Sequence, residues 1–369
     1  MRERDLRALL TGAVIMAPMT KGSNLPYRRL CNRLGATITM GEMAVARRLR
    51  QRKRGEFALI QRAPDERIFG VQLAGRDPAE MAWAAALVES RGADLVDVNL
   101  GCPIDEFTRR GLGAALLRRP RRVREIVEAM KASVSRIPVT VKIRLGWNDD
   151  HLNYVDVARA AIDGGADAIT VHGRTRGQRY RKAADWDAIG ALAAAVAVPV
   201  VGNGDILYPH DIVERQQAAG CAGVMVARGA LIKPWIFREA REGVFDESPE
   251  FRWRIYSEYA RLGLEHWGDD EHGRSRFREF LVWHLGFWCR FLPRRPDGTF
   301  STMQGRDSPL EPASPAEALL ARADAPGHAY LAKCLIEGLD LDEAVRHAPP
   351  SANPSGDPSS SAETAVVRG

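Results

Sequence analysis

The chain has 369 residues, of which 45% are hydrophobic and 27% charged, and its formal net charge at pH 7 is +6. This composition is ordinary for a soluble globular protein with a large core. No apolar run is long enough to span a bilayer, and MRERDLRALL lacks the apolar core of a secretory signal, which argues against a membrane or secreted protein. The five cysteines form no C-x-x-C pair, which argues against a disulfide framework or a zinc ribbon. We therefore expect a cytoplasmic protein with neither a membrane partner nor a metal.

Eight short apolar runs, rich in β-branched residues, recur through the first part of the chain. They are Ala13–Met16, Thr37–Met40, Ile68–Leu73, Asp94–Asn99, Val139–Arg144, Ala168–Gly173, Val198–Gly204 and Ala222–Gly229. The stretches between them are alanine-rich and amphipathic, as helices are. Apolar strands alternating with helices indicate a parallel sheet buried on both faces, and eight such units predict an α/β fold, a (β/α)8 TIM barrel. A doubly wound open sheet is the alternative, but APMTKG after the first strand is not G-x-G-x-x-G.

The alternation of strands and helices stops after Phe237, and the composition changes. Residues 248–347 are helical in pattern and rich in aromatic side chains, whereas PPSANPSGDPSSSAETAVVRG at the end cannot bury a core. We therefore predict a catalytic barrel domain over residues 1–240, an all-helical domain over 248–347, and a disordered tail over 348–369.

Unusual polar residues stand where the predicted strands end, which is where a TIM barrel builds its active site. They are Pro18 and Met19, Gln72, Asn99, Cys102, Lys142, Arg144, His172, Arg174, Asn203, Gly204, Asp205, Arg228 and Gly229. Each alone is compatible with a solvated strand end. Together they indicate a ligand, because a lysine inside VTVKIR needs a partner to offset the loss of water around its ammonium.

The last two strand ends, GNGD and ARGA, indicate a phosphate site. In this fold the loops after the seventh and eighth strands commonly hold a phosphate, and glycine lets the backbone approach it closely, although ordinary turns also favour glycine. The chain has no Rossmann or P-loop motif. Flavin mononucleotide (FMN) fits better, with one phosphate and a flat ring across the strand ends near Lys142.

Cys102 differs from the other four cysteines, which lie in helical or apolar stretches typical of buried small side chains. It follows a strand, precedes Pro103 and leads into a glycine-punctuated loop with Arg109 and Arg110. Such a thiol could be a nucleophile or a proton donor. No histidine lies near it in sequence, so a proton donor beside a flavin is the sharper hypothesis.

The motifs MAPMT, GVQL, NLGCP, TVKIR, VHGRTRGQRY, GNGDI and ARGALIKPWIF occur in this order, and with them the chain resembles the tRNA-dihydrouridine synthase family to about Pro293. GEMAV, GCPID, GQRYRKAADW, GLEHWG and WHLGFWCRFLP are similar to the variable-loop-modifying branch known from eukaryotes. Members of that branch usually carry N-terminal zinc fingers. This sequence begins at the barrel and has a Pro/Ser-rich tail, so the target position stays open.

The resemblance implies NADPH-dependent, FMN-mediated reduction of the C5–C6 double bond of uridines in tRNA, with Cys102 protonating C5. It implies that FMN contacts Pro18, Met19, Gln72, Lys142, His172, Asn203, Gly204, Asp205, Arg228 and Gly229, and that Asn99 and Arg174 lie near the uracil. The helical domain would hold the RNA through Arg274, Arg276 and Arg278, with Arg109 and Arg110 meeting phosphates near Cys102. Trp283, Phe287 and Phe291 share one helix face and are expected in the core.

Two other functions are compatible with parts of this pattern. One is a flavin-dependent reductase of a free pyrimidine or another small activated alkene, which would need neither a basic surface nor an appended helical domain. The other is an RNA-binding protein that keeps the barrel without catalysis, which the presence of Cys102, Lys142 and His172 disfavours. We expect the protein to act as a monomer.

Overall fold

Nine parallel strands form the sheet in the computed structural model, which describes residues 3–243, 247–294, 298–300 and 311–350. They are β1 (Val14–Met16), β2 (Ile38–Met40), β3 (Ala44–Val45), β4 (Phe69–Ala74), β5 (Leu95–Asn99), β6 (Val139–Arg144), β7 (Ala168–His172), β8 (Val200–Asn203) and β9 (Gly223–Val226). All except β3 form a closed eight-stranded barrel, in which β1 pairs with both β2 and β9 and β2 pairs with β4. The predicted TIM barrel is confirmed.

Helices follow most of the strands and pack around the barrel. Up to the last strand they are α1 (Glu3–Leu10), α2 (Leu25–Arg33), α3 (Ala46–Arg50), α4 (Arg54–Leu59), α5 (Pro78–Ser90), α6 (Asp105–Arg109), a 3-10 helix (Gly113–Arg118), α7 (Pro120–Ser133), α8 (Tyr154–Asp163), α9 (Trp186–Ala195) and α10 (Pro209–Ala219). Asn24, Asp77 and Asp185 cap α2, α5 and α9 by accepting backbone N–H bonds of the first turn. These caps fix where each loop at the carboxyl end of the strands gives way to a helix.

The interior of the barrel is apolar at its amino end. Ile15, Ile38, Leu95 and Met225 pack there with Leu6 and Leu10, two residues of α1 that close this end. A second and larger core lies between the strands and the surrounding helices. Because the amino end is filled by apolar side chains, polar groups that face the interior are confined to the middle and the carboxyl end of the strands.

A helical region follows the barrel, as predicted. It comprises α11 (Arg228–Ile232), α12 (Ile236–Glu242), α13 (Pro249–Trp267), α14 (Glu271–Trp288), α15 (Pro315–Leu320), α16 (Ala325–Glu337) and α17 (Leu341–Arg346). Phe287 and Phe291 are buried and Trp283 is half-buried, in agreement with the predicted apolar face. The boundaries predicted at residues 240 and 248 stay a prediction, and residues 351–369 of the predicted tail lie outside the described residues.

Helix α13 packs on α2 of the barrel through polar and aromatic side chains. Asn24 Nδ2 donates to the Tyr259 hydroxyl at 3.0 Å, and it lies 3.2 Å from Nε2 of the buried His284. The rings of Tyr27 and His284 stack with their centroids 4.0 Å apart. The interface is therefore a continuation of the core rather than a surface contact.

Candidate active site

The polar residues predicted at the strand ends converge at the carboxyl end of the barrel. In the strand register, Asn99 lies beside Lys142, Arg144 beside His172, and His172 beside Asn203. Neighbouring residues of paired strands point to the same face, so these side chains line one surface. Pro18 and Met19 follow β1 and are half-buried at the same end.

Four hydrogen bonds connect the centre of the barrel with the backbone of Cys102. Thr140 Oγ1 and Gln72 Nε2 each donate to the Asp97 carboxylate at 2.7 Å. Asn99 Nδ2 donates to Gln72 Oε1 at 2.6 Å, and Asn99 Oδ1 accepts the Cys102 N–H at 2.9 Å. Since the carboxylate only accepts, it fixes the orientation of both amides and thereby the position of the cysteine backbone.

The turn that carries Cys102 is held from two further sides. Arg144 Nε donates to the Gly101 carbonyl at 2.7 Å, and the Ala114 N–H donates to the Cys102 carbonyl at 3.0 Å. Gly113 has φ +59°, and a Cβ there would lie 2.8 Å from the Cys102 carbonyl oxygen. Only glycine allows this close approach, so the loop folds back under the cysteine.

The Cys102 thiol is half-buried, and its surroundings favour the protonated form. Burial raises the pKa of the thiol above its ordinary value, while the Ile104 N–H and the Arg144 guanidinium act weakly in the opposite direction. A thiol in this state can give up a proton but is a poor nucleophile at neutral pH. The site therefore favours the proton-donor hypothesis over the nucleophile hypothesis.

Lys142 is a buried amine held by an amide rather than by a carboxylate. Its Nζ donates to Asn203 Oδ1 at 2.9 Å, and Asn203 Nδ2 donates to the Met225 carbonyl at 2.7 Å. Burial, and then the charge of Arg144, lower the pKa of Lys142 to about 7, while the charge of Asp97 opposes them. An anionic or electron-rich group placed beside Nζ would restore its charged form.

Two more buried groups of the site have displaced pKa values. Burial raises the pKa of Asp97 to about 6, against the hydrogen bonds from Gln72 and Thr140. Burial, and then the charges of Arg144 and Lys142, lower the pKa of His172 well below its ordinary value, so its ring is neutral at pH 7. Perturbed groups gathered at one end of a barrel are typical of a functional site.

A cleft beside β7, β8 and β9 can hold an anion such as a phosphate. Its lining includes His172, Gly204, Arg228 and Gly229, together with Tyr180, whose ring centroid lies 4.8 Å from the Arg228 guanidinium. A Cβ on Gly229 would lie 2.0 Å from the Ile206 carbonyl oxygen, so no other residue fits there. The cleft thus combines the cationic side chain of Arg228 with two glycines in its lining.

Asp205 joins the loops that form this cleft. Its carboxylate accepts from Arg174 Nη2 at 2.6 and 2.8 Å, from Arg228 Nη2 at 3.2 Å and from the Ala184 N–H at 2.8 Å. Arg174 is fully buried, and its Nη1 lies 3.2 Å from His172 Nε2. Arg174 therefore lines the cleft and, through its ion pair with Asp205, joins the loop after β7 to the loop after β8.

The predicted RNA contacts lie in two places. Arg109 and Arg110 are exposed at the end of α6, close in sequence to Cys102, and Arg110 pairs with Glu106 at 3.2 Å. Arg274, Arg276 and Arg278 lie on α14 in the helical region, where Arg274 pairs with Asp269 at 2.7 Å and the other two are exposed. The structure thus brings only the first pair to the carboxyl end of the barrel.

Sequence reasoning left several residues of this site without a role. Asp97 and Arg144 bind the Cys102 turn directly or through amides, Gly113 lies beneath it, and Tyr180 covers the cleft. Their signal was the alternation within DLVDVN and VTVKIR, which places Asp97 beside Asn99 and Arg144 beside Lys142 on one strand face. No comparable pattern marked Tyr180.

The family model described as dihydrouridine synthase (Dus) matches residues 15–279. The chain belongs to the dihydrouridine synthase family. The match begins in β1 and ends in α14, so it covers every strand-end residue described above. In this family member one family pattern therefore covers the strands of the barrel, α13 and the first half of α14.

Three similar proteins share the name tRNA-dihydrouridine(47) synthase [NAD(P)(+)]-like. The chain is 42% identical over 285 residues to the one from Oryza sativa subsp. japonica, 44% over 285 to that from Xenopus laevis, and 43% over 291 to that from Homo sapiens. The matches cover 75%, 75% and 77% of this chain but only 41%, 44% and 44% of those proteins. This family member thus spans less than half the length of these relatives. A solved 2-naphthoyl-CoA reductase complex matches with 12% identity and a TM-score of 0.48 over 62% of this chain and 50% of that one, too weak a likeness to carry an argument.

Metal-binding clusters and membrane-spanning helices are absent from the described part of this dihydrouridine synthase family member. Its described residues contain no group of three or more His, Cys, Asp or Glu side chains that could hold a metal ion. None of its described helices combines the length and apolar character needed to cross a bilayer.

Proposed function

We propose that the protein is a tRNA-dihydrouridine synthase, which reduces the C5–C6 double bond of uridine in tRNA with FMN and NAD(P)H. The observation that carries this proposal is a protonated thiol, Cys102, fixed at the same barrel end as the buried amine of Lys142 and the cationic cleft. Membership of the dihydrouridine synthase family supports the reaction class. The names of the relatives support uridine 47 as the target and the nicotinamide cofactor as reductant.

The residues of the site fit an FMN. The cleft with Arg228, Gly204 and Gly229 would take the phosphate, and Lys142 Nζ, which has an amide as its hydrogen-bond partner, would face the electron-rich edge of the ring. We assign the remaining contacts to side chains at the same barrel end, namely Pro18, Met19, Gln72, His172, Asn203 and Asp205. Bound FMN supplies the hydride that C6 of the uracil receives, with electrons that come from NAD(P)H.

Cys102 completes the reduction. When C6 has received the hydride, C5 carries the electron pair of the former double bond, and the Cys102 thiol donates its proton there and becomes a thiolate. One hydride and one proton thus saturate the bond, and the thiolate regains a proton from water. Asn99, whose side chain fixes the Cys102 backbone, is placed at the edge of the base together with Arg174.

The RNA would extend beyond the site. We assign phosphate contacts to Arg109 and Arg110 at the barrel end and to Arg274, Arg276 and Arg278 on α14. The formal net charge of +6 is consistent with a polyanionic substrate. A monomer in the cytoplasm is the simplest setting for this activity.

The purified protein is expected to be yellow and to release FMN on denaturation. With NADPH it should convert uridine to dihydrouridine in an unmodified tRNA transcript, and RNA from cells that lack the protein should lose dihydrouridine at the same position. Protein that stays colourless after incubation with FMN would contradict the proposal. Reduction of free uracil at a rate similar to that of tRNA would favour the small-molecule reductase instead.

A further inference from the structure

A dense group of basic residues lies on the barrel beside the site described above, and apart from Arg109 and Arg110 its members have no role in the proposed function. Positions 47–54 contain six basic residues and no acidic one. Arg110 is joined to them through Glu106, Arg76 contacts the Arg110 carbonyl, and Arg109 precedes Arg110 in the sequence. We call this surface the cationic ridge, and it comprises Arg47, Arg48, Arg50, Arg52, Lys53, Arg54, Arg76, Arg109 and Arg110.

The cationic ridge lies next to the turn that carries Cys102. It starts directly after β3, whose Val45 pairs with Ala74 at the carboxyl end of β4, two residues beyond Gln72. Other contacts join it to α6, which begins three residues after Cys102 in sequence. There the Glu106 carboxylate lies 4.0 Å from Arg48 Nη2 and 3.2 Å from Arg110 Nη2, and Arg76 Nη1 donates to the Arg110 carbonyl at 3.2 Å.

The backbone of the ridge is fixed, while most of its charges are free. The buried Glu56 accepts the Val45 N–H at 2.7 Å and Arg48 Nη1 at 3.2 Å, and Leu49 is fully buried. In the described part of the chain, Arg48 and Arg110 are the ridge residues with ion pairs. The side chains of Arg47, Arg50, Arg52, Lys53, Arg54 and Arg109 are all exposed and have no such partner among the described residues.

Arginines elsewhere on the protein surface form ion pairs with carboxylates more often than those of the cationic ridge do. Arg29, Arg33 and Arg261 each contact two carboxylates, and Arg238 pairs with Glu242 four residues later. Unpaired like charges crowded into one turn repel one another, which costs stability unless an anion offsets it. The ridge is therefore a concentration of free charge beside the site rather than a general property of an arginine-rich surface.

A nucleic-acid backbone matches this surface better than a membrane does. Leu49 is the only strongly apolar side chain within positions 47–54, and it is buried, so the turn offers nothing to insert into a lipid surface. Several guanidinium groups along an edge suit a row of phosphates, each of which can accept two hydrogen bonds from one arginine.

We propose that the cationic ridge binds the RNA backbone next to the reacting uridine, on the barrel side of the site. This inference rests on the proposed function, in which the uridine enters beside Cys102. It places a second electrostatic contact area apart from the arginines of α14. The base would then be held between the ridge and the helical region.

The test compares two variants that each lose three exposed charges. One is R47Q/R50Q/K53Q on the ridge, and the matched control is R67Q/R136Q/R159Q, whose residues lie before β4, before β6 and on α8. Binding of an unmodified tRNA transcript is measured by fluorescence anisotropy over a series of KCl concentrations. For the ridge variant we expect affinity to fall ~10-fold and the log–log salt slope to decrease by about two, because each lost phosphate contact removes about 0.7. The control should match wild type.

The outcomes separate the ridge from the proposed function. A ridge variant with wild-type affinity and salt slope would overturn the inference, as would an equal loss in the control. Binding to phosphatidylserine vesicles that depends on the ridge, with unchanged tRNA binding, would assign the surface to membranes. If wild-type protein binds tRNA through the ridge but forms no dihydrouridine, the proposed function fails while the ridge inference stands.

Discussion

At the scale of single residues, the protonation state of Cys102 decides what it can do. Its thiol faces a positively charged neighbour, Arg144, which alone would favour the thiolate. Burial outweighs this attraction and raises the pKa of the thiol. The Arg144 guanidinium is turned toward backbone carbonyls, including that of Gly101, which accepts its Nε–H. The cysteine thus remains an acid in a cationic environment.

Replacement of the thiol should therefore separate binding from turnover. We expect C102A to retain FMN and tRNA affinity within about twofold, and to lose ~10²–10⁴-fold in the rate of dihydrouridine formation, the range typical of a positioned general acid. Single-turnover assays with pre-reduced protein measure the chemical step. C289A is the control, because Cys289 is half-buried in the helical region. Equal loss in both variants would remove the acid role from Cys102.

At the residue level, the sequence could place a side chain in the barrel wherever a general rule of the fold applied. The sequence predicted Cys102, Lys142 and His172 from their places at the ends of apolar strands, and the structure brings them together. It did not predict the contacts of Asp97, because a buried carboxylate acts here through two amides on neighbouring strands. Which amide reaches which carboxylate depends on strand register, and register does not follow from one sequence.

At the scale of elements, the passage from α11 to α12 contains a buried charge cluster. Lys233 Nζ contacts Glu239 at 2.8 Å and Glu247 at 2.7 Å, so one ammonium faces two carboxylates. Burial, and next the neighbouring Glu247, raise the pKa of Glu239 to about 8. At neutral pH the cluster therefore keeps a proton that an exposed glutamate would release.

This proton makes stability depend on pH in a defined direction. Because the folded pKa of Glu239 lies above the unfolded value of 4.5, the folded state binds more protons between these values, and stability falls as pH rises from about 4.5 to 8. E239Q should remove this dependence. Between pH 5 and 8 the Tm of E239Q should therefore fall by several degrees less than the Tm of wild type. Thermal melts from pH 5 to 8 measure it.

The control for this melt is E242Q on the same helix. Glu242 is exposed and its pKa is lowered by the hydrogen bond from Arg238, so its removal should leave the pH dependence of Tm near that of wild type. Parallel curves for wild type and E239Q would refute the assignment of the proton to Glu239.

The elements that the sequence predicted were those with a strong local pattern. All eight barrel strands were predicted, because apolar runs between helical stretches are unambiguous in a parallel sheet. The two-residue strand β3 and the short helices α3 and α4 were not predicted, because neither the alternation of a strand nor the 3.6-residue period of a helix can be recognised over so few residues. The part of the cationic ridge from Arg47 to Arg54 is built on these short elements and was missed with them, whereas Arg109 and Arg110 were predicted as phosphate contacts.

At the scale of the whole molecule, the barrel and the helical region share a polar interface. Arg29 pairs with Glu265 at 2.8 Å, Arg33 pairs with Glu258, and Asn24 contacts Tyr259 and His284 in the buried part. Separation of α2 from α13 would break the buried contact of Asn24 with Tyr259, at a cost of about 0.5–1.5 kcal/mol, whereas the partly exposed ion pairs of Arg29 and Arg33 contribute less. The sequence predicted both regions in order but contained no signal for the helix pair that joins them.

We therefore expect the two regions to unfold together. Thermal unfolding followed by far-ultraviolet circular dichroism and by tryptophan fluorescence should give one coincident transition. The two signals report on different parts of the protein, because four of the eight tryptophans lie in α13 and α14 whereas circular dichroism follows the helices of both regions. Two separated transitions would show that the interface contributes little, and N24A should then leave the curve unchanged.

The closure of the barrel has a consequence for synthesis on the ribosome. Val14 lies beside Val224, so the first strand meets one of its two neighbours only after almost the whole barrel sequence has been translated. Until then β1 has an open edge, and Leu6 and Leu10 of α1 face an incomplete cavity. Contacts so distant along the chain slow folding and leave apolar edges accessible to aggregation. We therefore expect the nascent chain to depend on chaperones until β9 has emerged from the ribosome.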